Sequence, residues 1–595
     1  MIVGVSTNDY AQLLLTMPDA GGHGLTGISP CIIPNRLSYL LDLHGPSEAI
    51  DTACSSSLVA VHHAVQSVLN GECEMALAGG INVILSPTPF IAFSRAGMLA
   101  PDGQCKCLDK SANGYVRGEG GGVVLLKPLH AALADGDHIY GVIKGIAMNH
   151  GGRAQQLTAP NPTSQTNVIK TALDKAQVDA NTIGYVELHG TGTTLGDSIE
   201  IEGLTQAFSK NTKKHCGIGS VKSNMGHLEP AAGIASLIKV VLALQHKTLP
   251  PTLHLHELNP YLKLAETPFF PVVETQPWNS LLNSDGTPIP RRAGVSSFGF
   301  GGVNVHAIIE EWNQPKQTSV PSAPFLFILS AKNRNALYES VKQLADYLNK
   351  HPRSDEQWLS DVSYTLQVGR EQFPVRVACI ASTKSELCRK LHAFSERAVD
   401  EVLHNLNSEK VTTKRVVADA DFFTEMSMIE RARYWVEGQS IPWQILADNK
   451  KRYRVPLPGY PFTKRRYWYD NYKTVPEDKI HVDVEQIINR CQSSVVSERP
   501  DLFVKVITNR EEVLATLVFD SEISVNIHTL FYQILRDVWQ KDSPQVLQLD
   551  WTDIKPDEKH YLYMQRIYND EVPLFNVALM NRFGQLLEQA AAVNF

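Results

Sequence analysis

Cys54 stands in a run of small polar residues, DTACSSS at positions 51–57, that directly precedes an amphipathic segment. Apolar residues recur at helical spacing from Leu58 to Leu69, so the pattern predicts a helix that begins just after the cysteine. The positive end of that helix would face the sulfur and favour its thiolate. The segment predicts a nucleophilic cysteine on a sharp turn, and it leaves open a cysteine that only fills a small buried space.

Two histidines stand in glycine-bearing loops, His189 in the motif HGTGT and His227 in the motif KSNMGH. The first motif follows the strand-like segment GYVEL, and the second precedes an apolar helical segment. Loops at strand and helix ends are where the active sites of α/β proteins collect. Together with Cys54, the two histidines predict a nucleophile with two imidazole partners.

The glycine-rich segment SFGFGGVN at positions 297–304 forms the fourth element of this pattern. A loop of this kind can direct backbone N–H groups at an oxyanion. A plain flexible turn and a phosphate cradle are the alternatives. A second glycine run at 118–122 lacks the lysine or ribose-binding acid of the nucleotide motifs, so nucleotide binding is not expected.

Short apolar runs alternate with helical patterns through the first half of the chain, at positions 75–85, 121–129, 140–148 and 183–190. This alternation predicts an α/β fold in which helices lie against sheets.

Five segments follow from the changes in pattern along the chain. They are a core at 1–312, a Pro-rich linker at 313–324, a small α/β domain at 325–409, a helical segment with a basic aromatic tail at 410–475, and a partial α/β unit at 480–595. In the last unit, strands are expected at 502–508 and 515–521 and a helix at 529–539.

Composition excludes several classes of protein. The 595 residues carry 55 basic and 62 acidic side chains, a net charge of −7, which does not favour a general nucleic-acid binder. Nine cysteines without a CxxC pair indicate neither a disulfide framework nor a structural metal site. The N-terminal segment lacks the features of a signal peptide, and the longest apolar helical stretch is too short to span a bilayer. We therefore expect a soluble cytoplasmic protein with no membrane or nucleic-acid partner.

The motifs DTACSSS, HGTGT, KSNMGH and GFGGVN, in this order, resemble those of the β-ketoacyl synthase (ketosynthase) of modular polyketide synthases. The block at 95–120 also resembles that family, and the resemblance covers residues 1 to about 312. It implies a thiolase-like layered α/β/α/β/α fold. The chain begins at a segment that is interior in the family, so the resemblance also implies a domain that lacks its opening segment.

The resemblance implies a role for each matching residue. Cys54 would accept the acyl chain, and His189 and His227 would assist decarboxylation of a malonyl unit and stabilise the enolate. Lys222 would support His227 from behind. The backbone N–H groups of Cys54 and Phe300 would form the oxyanion hole.

The same resemblance extends to cofactor and partners. Thr191 and Thr193 would contact the phosphopantetheine arm of an acyl carrier protein, and no cofactor or metal would be bound by the chain itself. Residues 325–409 and the stretch VPLPGYPFTKRRYWYD resemble the linker domain and tail that flank such synthases, and no acyltransferase motif GHSxG occurs. A free-standing acyltransferase, other synthase modules and a second copy of the chain are therefore the further partners implied. Residues 480–595 faintly resemble the start of a ketoreductase structural subdomain.

The implied reaction is a decarboxylative Claisen condensation between an acyl chain on Cys54 and malonyl carrier protein. Two alternatives remain open at this point. One is a non-condensing scaffold, a fragment that docks a carrier protein or completes a partner chain. The other is a thiolase or transfer-only synthase that uses the same cysteine.

Overall fold

A computed structural model of the chain describes two compact units, Met1–Arg466 and Tyr467–Phe595. The described residues of the first unit are 1–15, 24–208, 213–313, 322–397, 402–406, 420–446 and 452–466. In the second unit they are three strands, 501–507, 512–518 and 546–550. Among these residues, no helix is long and apolar enough to cross a membrane.

The first half of the core is built around a four-stranded sheet. Its strands are β1 (Ile2–Gly4), β2 (Glu48–Ile50), β3 (Ala76–Asn82) and β4 (Gly120–Leu126). They lie in the order β2-β1-β3-β4, with β1 parallel to β2 and β3, and β4 antiparallel to β3. The helices are α1 (Asp9–Leu15), α2 (Gly24–Ile28), α3 (Ile32–Leu40), α4 (Ser56–Leu69), α5 (Thr88–Arg95) and α6 (Leu129–Ala134).

The second half repeats this arrangement and extends it. Its strands are β5 (Val142–His150), β6 (Tyr185–Glu187), β7 (Cys216–Gly219), β8 (Thr248–Leu249), β9 (Phe269–Pro271), β10 (Gln276–Pro277), β11 (Arg292–Phe298) and β12 (Val303–Glu310). Six of them form a sheet in the order β5-β12-β11-β6-β7-β9, and β8 pairs with β10. The helices are α7 (Pro162–Ala176), α8 (Thr194–Ala207), α9 (Lys222–Met225) and α10 (Ala232–His246).

The two halves correspond element by element. In each, a central strand (β1 or β6) is parallel to a strand on either side, and the last strand (β4 or β12) is antiparallel to its neighbour. The corresponding helices, α4 and α10, pack against each other and against strands of both sheets. Their apolar side chains form one core with those of the strands, including Leu58, Val61, Ile234, Leu237 and Val295. This layered α/β arrangement confirms the predicted thiolase-like fold class.

A small domain follows residues 314–321, which lie outside the described part of the chain and contain most of the predicted linker. Its sheet has the order β13-β14-β15, formed by β13 (Phe325–Ala331), β14 (Val375–Ala381) and β15 (Leu403–Asn405). The helices are α11 (Arg334–Lys350), α12 (Glu356–Val368), α13 (Lys384–Ser395), α14 (Ala420–Glu425), α15 (Met428–Val436) and α16 (Trp443–Leu446).

The predicted boundary at residue 409 divides the core of this small domain and is wrong. Phe423, Trp435 and Trp443, from the last three helices, pack in the same apolar cluster as the strands β13 and β14. Buried Arg376 of β14 joins these parts, because its guanidinium donates to the carbonyl oxygens of Trp435 at 2.7 Å and Gln439 at 2.8 Å. The helical segment therefore belongs to the small domain.

The aromatic tail runs without regular structure over both parts of the first unit. The backbone N–H groups of Tyr453 and Val455 donate to side chains of α12, at 3.1 and 2.9 Å. Between them, Arg454 forms an ion pair with Asp137 of the core. The wrap-around course expected for this segment is thus present over residues 452–466, and the rest of the expected tail lies outside the described residues.

The second unit contains an antiparallel sheet in the order β17-β16-β18, formed by β16 (Asp501–Ile507), β17 (Glu512–Val518) and β18 (Val546–Asp550). The two strands predicted from the sequence correspond to β16 and β17, although the second begins three residues earlier than expected. The helix predicted at 529–539 lies outside the described residues.

A substitution of Arg376 tests whether the small domain is one folding unit. We expect Arg376→Met to lower the free energy of local unfolding by about 2–4 kcal/mol, because it leaves buried carbonyl oxygens without a donor. Hydrogen–deuterium exchange of peptides from α15 would measure the change. Arg353→Met removes a half-exposed arginine paired with Asp355 in the same domain and should cost less than about 1 kcal/mol. Unchanged exchange in α15 after Arg376→Met would contradict the single core.

Candidate active site

Cys54 lies in a short 3-10 helix, Ala53–Ser55, that leads directly into α4. The preceding residue, Ala53, has the left-handed φ of 56°, which a residue with a side chain adopts only at a cost. Local hydrogen bonds hold the turn, because Ala53 N–H donates to Asp51 Oδ1 and Thr52 N–H donates to Ser56 Oγ, both at 2.9 Å. The sharp turn before a helix agrees with the sequence prediction.

Backbone segments from both halves of the core pack closely against this turn. A Cβ on Gly4 of β1 would lie 2.4 Å from the nitrogen of Ser57, and one on Gly299 would lie 2.4 Å from the carbonyl oxygen of Thr52. The hydroxyl of Ser297, at the end of β11, donates to the carbonyl oxygen of Cys54 at 2.9 Å. Only glycine fits at the two contact positions, so the turn is fixed relative to both sheets.

His189 lies in the loop between β6 and α8, and a buried carboxylate holds that loop. The N–H groups of His189 and Gly190 donate to the two oxygens of Glu200, at 2.7 and 2.8 Å. Asp197 accepts from Gly192 N–H at 3.2 Å and from Leu108 N–H at 2.8 Å. Burial raises the pKa of Glu200 to about 7 and that of Asp197 to about 6.

His227 is held through its backbone N–H and carbonyl groups and through one ring nitrogen. Its N–H donates to the carbonyl of Val116 at 2.7 Å, and its own carbonyl accepts from Gly118 N–H at 2.9 Å. The ring atom Nδ1 accepts from the backbone N–H of Glu229 at 3.0 Å. Because that bond occupies the lone pair of Nδ1, a neutral ring carries its proton on Nε2 and can donate from there.

The three predicted residues meet at one place. One atom from each, the sulfur of Cys54 and a ring nitrogen of each histidine, lie within 4.8 Å of one another. The two imidazole rings stand edge to face at 5.4 Å between centroids, with Tyr115 at 5.1 Å from His227. The predicted cluster of a nucleophile and two imidazoles is therefore present in the structure.

The charge state expected for Cys54 is wrong. Burial raises the pKa of the thiol to about 11, although the N–H of Phe300 and the charge of Lys222 act in the opposite direction. Loss of water around the sulfur therefore outweighs these two effects, and the resting group is the thiol at neutral pH.

Both imidazoles are neutral at the same pH. Burial, followed by the nearby charge of Lys222, lowers the pKa of His189 and of His227 well below the usual value. The two rings also differ in their surroundings. The other histidine further lowers the pKa of His189, and Arg117 further lowers that of His227.

Lys222 is buried at the start of α9, where it supplies the positive charge shared by the three groups. The helix is positioned by Glu187, whose Oε1 accepts from the N–H of Val221 at 2.6 Å. The other oxygen of Glu187 accepts from Lys239 at 2.6 Å and from the hydroxyl of Tyr185 at 2.8 Å. Sequence reasoning found Lys222 but not this buried network, which joins residues far apart in the chain.

The backbone N–H groups of Cys54 and Phe300 both reach the sulfur, where they favour the thiolate. Phe300 lies in the turn between β11 and β12, which is closed by the bond from Gly299 N–H to the carbonyl of Val303 at 2.8 Å. An oxyanion hole needs donors aimed at the substrate oxygen that gains charge, and these two N–H groups lie beside the sulfur that such a substrate would meet. The oxyanion role of the glycine loop stays a prediction.

The cluster opens into a cavity of about 880 Å³. Thr191 and Thr193 line it, with their hydroxyl oxygens 3.2 Å apart. The segment 150–161 forms a further wall that the motif analysis missed, and no residue pattern in it signals a chemical role. The cavity is large enough for an acyl chain or for the arm of a carrier.

Cys54, His189 and His227 also have donor types that can bind a metal ion. The hydrogen bonding of His227 does not fit this use, because Nδ1 already accepts from Glu229 and the neutral ring then bears a proton on Nε2. A histidine that binds a metal through one ring nitrogen instead donates a hydrogen bond from the N–H of the other nitrogen to a carboxylate or carbonyl. The arrangement matches proton donation better than metal binding.

Comparison with known proteins supports the pattern. The model "Beta-ketoacyl synthase, N-terminal domain" matches residues 1–132, the corresponding C-terminal domain matches 140–256, and "CurL-like, PKS C-terminal" matches 325–391. The chain is 37% identical to the oxazolomycin ketosynthase domain of Streptomyces albus JA3453, with a TM-score of 0.69 and 78% coverage of each chain. The chain belongs to the ketosynthase family of polyketide synthases. A ketosynthase from module 6 of the bacillaene synthase of Bacillus subtilis 168 is similar at 38% identity and a TM-score of 0.69, with 76% of this chain and 79% of that chain covered.

Among curated proteins, this ketosynthase is 44% identical to polyketide synthase PksN of Bacillus subtilis (strain 168) over 80% of its length. It is 43% identical to polyketide synthase PksM of the same organism over 82% of its length. The chain spans 9% of PksN and 12% of PksM. The family predicted from the motifs is therefore confirmed, and the roles assigned to single residues stay predictions.

The rate of alkylation of the ketosynthase tests the protonation state of Cys54. Because burial raises its pKa to about 11, we expect the rate of its reaction with iodoacetamide to rise about tenfold per pH unit from pH 7 to pH 10. Mass spectrometry of the Cys54 peptide would measure it, with the exposed Cys31 as an internal control for the reagent. A rate that levels off below pH 8 would show a thiolate at neutral pH instead.

The contact of Gly299 with the turn gives a second test. Gly299→Ala should abolish acylation of Cys54, because the new Cβ would displace the carbonyl of Thr52 and with it the turn. Gly301→Ala is the matched control, since a Cβ at that position meets no atom within 4 Å. Incubation with an acyl thioester and intact-protein mass spectrometry compare the two variants. Equal labelling of both would contradict the role of the contact.

Proposed function

We propose that the chain catalyses carbon–carbon bond formation as a ketosynthase, by decarboxylative Claisen condensation of a Cys54-bound acyl chain with a malonyl unit. The observation that carries the proposal is the cluster of one thiol and two neutral imidazoles, with reacting atoms within 4.8 Å, at the end of a large cavity. Acyl transfer needs a nucleophile, a proton acceptor and an oxyanion site, and the cluster offers all three.

In the first step, the sulfur of Cys54 attacks the carbonyl carbon of an acyl thioester. A thiol with a pKa of about 11 must lose its proton as it attacks, and a neutral imidazole of the cluster is the acceptor within reach. The backbone N–H groups of Cys54 and Phe300 hold the carbonyl oxygen as it gains charge. The carbon–sulfur bond to the carrier arm then breaks, and the departing thiolate takes the proton from the imidazolium.

In the second step, a malonyl thioester enters the cavity and loses carbon dioxide. The electron pair of the broken bond forms an enolate, whose oxygen accepts hydrogen bonds from the imidazoles, including Nε2–H of His227. The enolate carbon attacks the acyl carbonyl, a carbon–carbon bond forms, and the bond to Cys54 breaks. The thiolate of Cys54 then takes one proton from solvent, which restores the resting thiol and balances the loss of the carboxylate as carbon dioxide.

The partners of this reaction are part of the proposal. An acyl carrier protein would deliver both thioesters on a phosphopantetheine arm, which would lie along Thr191 and Thr193 at the cavity wall. A free-standing acyltransferase would supply the malonyl unit, since no GHSxG motif occurs between the small domain and the aromatic tail. Other synthase modules would donate and receive the growing chain. A second copy of the ketosynthase is a further proposed partner.

Separate assays of the two steps test the proposal. We expect the wild-type chain to acquire one acyl group from an acyl thioester and to release carbon dioxide from malonyl carrier protein. Cys54→Ala should lose the acyl group, while Cys216→Ala, at a buried cysteine outside the cluster, should keep it. His227→Ala should still be acylated but should decarboxylate about 10²- to 10⁴-fold more slowly. A folded wild-type chain that is acylated but never decarboxylates malonyl carrier protein would favour the non-condensing scaffold.

A further inference from the structure

A buried ion pair lies next to His227, at the wall of the same cavity. The guanidinium of Arg117, whose side chain has no exposed surface, donates to both carboxylate oxygens of Glu229, at 2.5 and 2.8 Å. The amide of Asn82 reaches the same carboxylate at 3.5 Å. A two-pronged contact of this kind fixes the position of a carboxylate more tightly than a single bond.

The backbone of Glu229 is the part that contacts His227. Its N–H donates to Nδ1 of the ring at 3.0 Å, while its φ of 46° lies in the left-handed region. That conformation costs a residue with a side chain about 1 kcal/mol or more and persists only where the surroundings enforce it. The ion pair anchors the side chain of this strained residue, and thereby the direction of its N–H.

Arg117 also borders His227 through its own backbone. The segment from Val116 to Gly118 pairs with His227 as an isolated bridge, with bonds of 2.7 and 2.9 Å on its two sides. The guanidinium lies over the ring of Phe90 at 4.6 Å and near that of Phe93 at 5.5 Å, which limits its movement. One ion pair therefore joins the two backbone segments that hold the imidazole.

We propose that Arg117 and Glu229 are positioning residues that keep His227 as the Nε2–H tautomer and aim that N–H at the enolate oxygen. This inference rests on the proposed function for its catalytic meaning. The pair should serve decarboxylation more than acyl transfer to Cys54, because its hydrogen bonds hold the backbone segments on either side of His227, although both side chains also line the cavity. No part of the motif analysis pointed to it.

The tautomer itself is the first readout. In the full chain labelled with 15N-histidine, the shifts of the two ring nitrogens separate a protonated from an unprotonated nitrogen, and the loss of signals in His227→Gln assigns them. We expect wild-type His227 to show an unprotonated Nδ1. Arg117→Met and Glu229→Gln should both shift the ring toward a mixture of tautomers.

The second readout is the ratio of two rates, that of malonyl decarboxylation and that of Cys54 acylation. Arg117→Met should slow malonyl decarboxylation by about 10- to 100-fold, the scale expected for a misplaced catalytic group, while acylation of Cys54 stays close to the wild-type rate. Arg117→Lys keeps the charge and one bond and should recover part of the loss. Arg117→Lys also provides the test of the ratio if Arg117→Met fails to fold.

Arg291→Met provides the matched control. Arg291, whose side chain is 14% exposed, forms a pair with Glu311 at 2.7 Å, and its hydrogen-bond partners Trp278 and Glu311 lie outside the histidine loops. If the effect of Arg117→Met came only from the loss of a paired arginine, Arg291→Met would show it equally. The positioning role predicts instead that Arg291→Met leaves the tautomer of His227 and the ratio of the two half-reaction rates unchanged.

The outcomes separate the two proposals. A wild-type tautomer spectrum in folded Arg117→Lys and Glu229→Gln, or equal losses in both half-reactions, would overturn the positioning role. A wild-type chain without acylation or decarboxylation would overturn the proposed function, and the tautomer spectrum would still decide the role of the pair.

Discussion

Exclusion of water from the meeting point of three side chains governs this structure. Burial raises the pKa of the Cys54 thiol and lowers the pKa of both imidazoles, so all three are uncharged at rest. An uncharged cluster can be packed among apolar side chains without a paired counter-ion, and charge needs to form there only during reaction. The surrounding loops place backbone dipoles against the reacting atoms, and the full charges nearby include those of Lys222 and of the Arg117–Glu229 pair.

Buried carboxylates hold these loops in place by accepting backbone N–H groups. Glu200 holds the chain at His189, and Glu187 holds the start of the short helix that carries Lys222. A loop rich in glycine has little side-chain packing of its own, so an acceptor in the adjacent element supplies the rigidity that the chemistry needs. The geometry of the cluster thus depends on carboxylates outside it, of which Glu200 also lines the cavity.

Local patterns were sufficient to predict the cysteine, both histidines and the helix α4, because each follows from neighbours within a few residues. The thiolate expected for Cys54 was wrong, since the helix N-terminus is visible in the sequence but the depth of burial is not. The pair of Arg117 and Glu229 could not be predicted either, because its members are 112 residues apart and meet only through the fold. The same holds for the small domain, whose last helices join its core across a stretch that the composition suggested as a boundary.

The correspondence between the two halves of the core has a historical meaning. Cys54 lies in the 3-10 helix that leads into α4, and His227 lies two residues before the 3-10 helix Glu229–Ala231 that leads into α10, so the corresponding ends of the two halves carry the sulfur and one imidazole. A doubled ancestral unit would have brought two identical turns face to face across the paired helices. Divergence of those turns, one toward sulfur and one toward imidazole, would then place two different side chains from two copies of one unit at a single site.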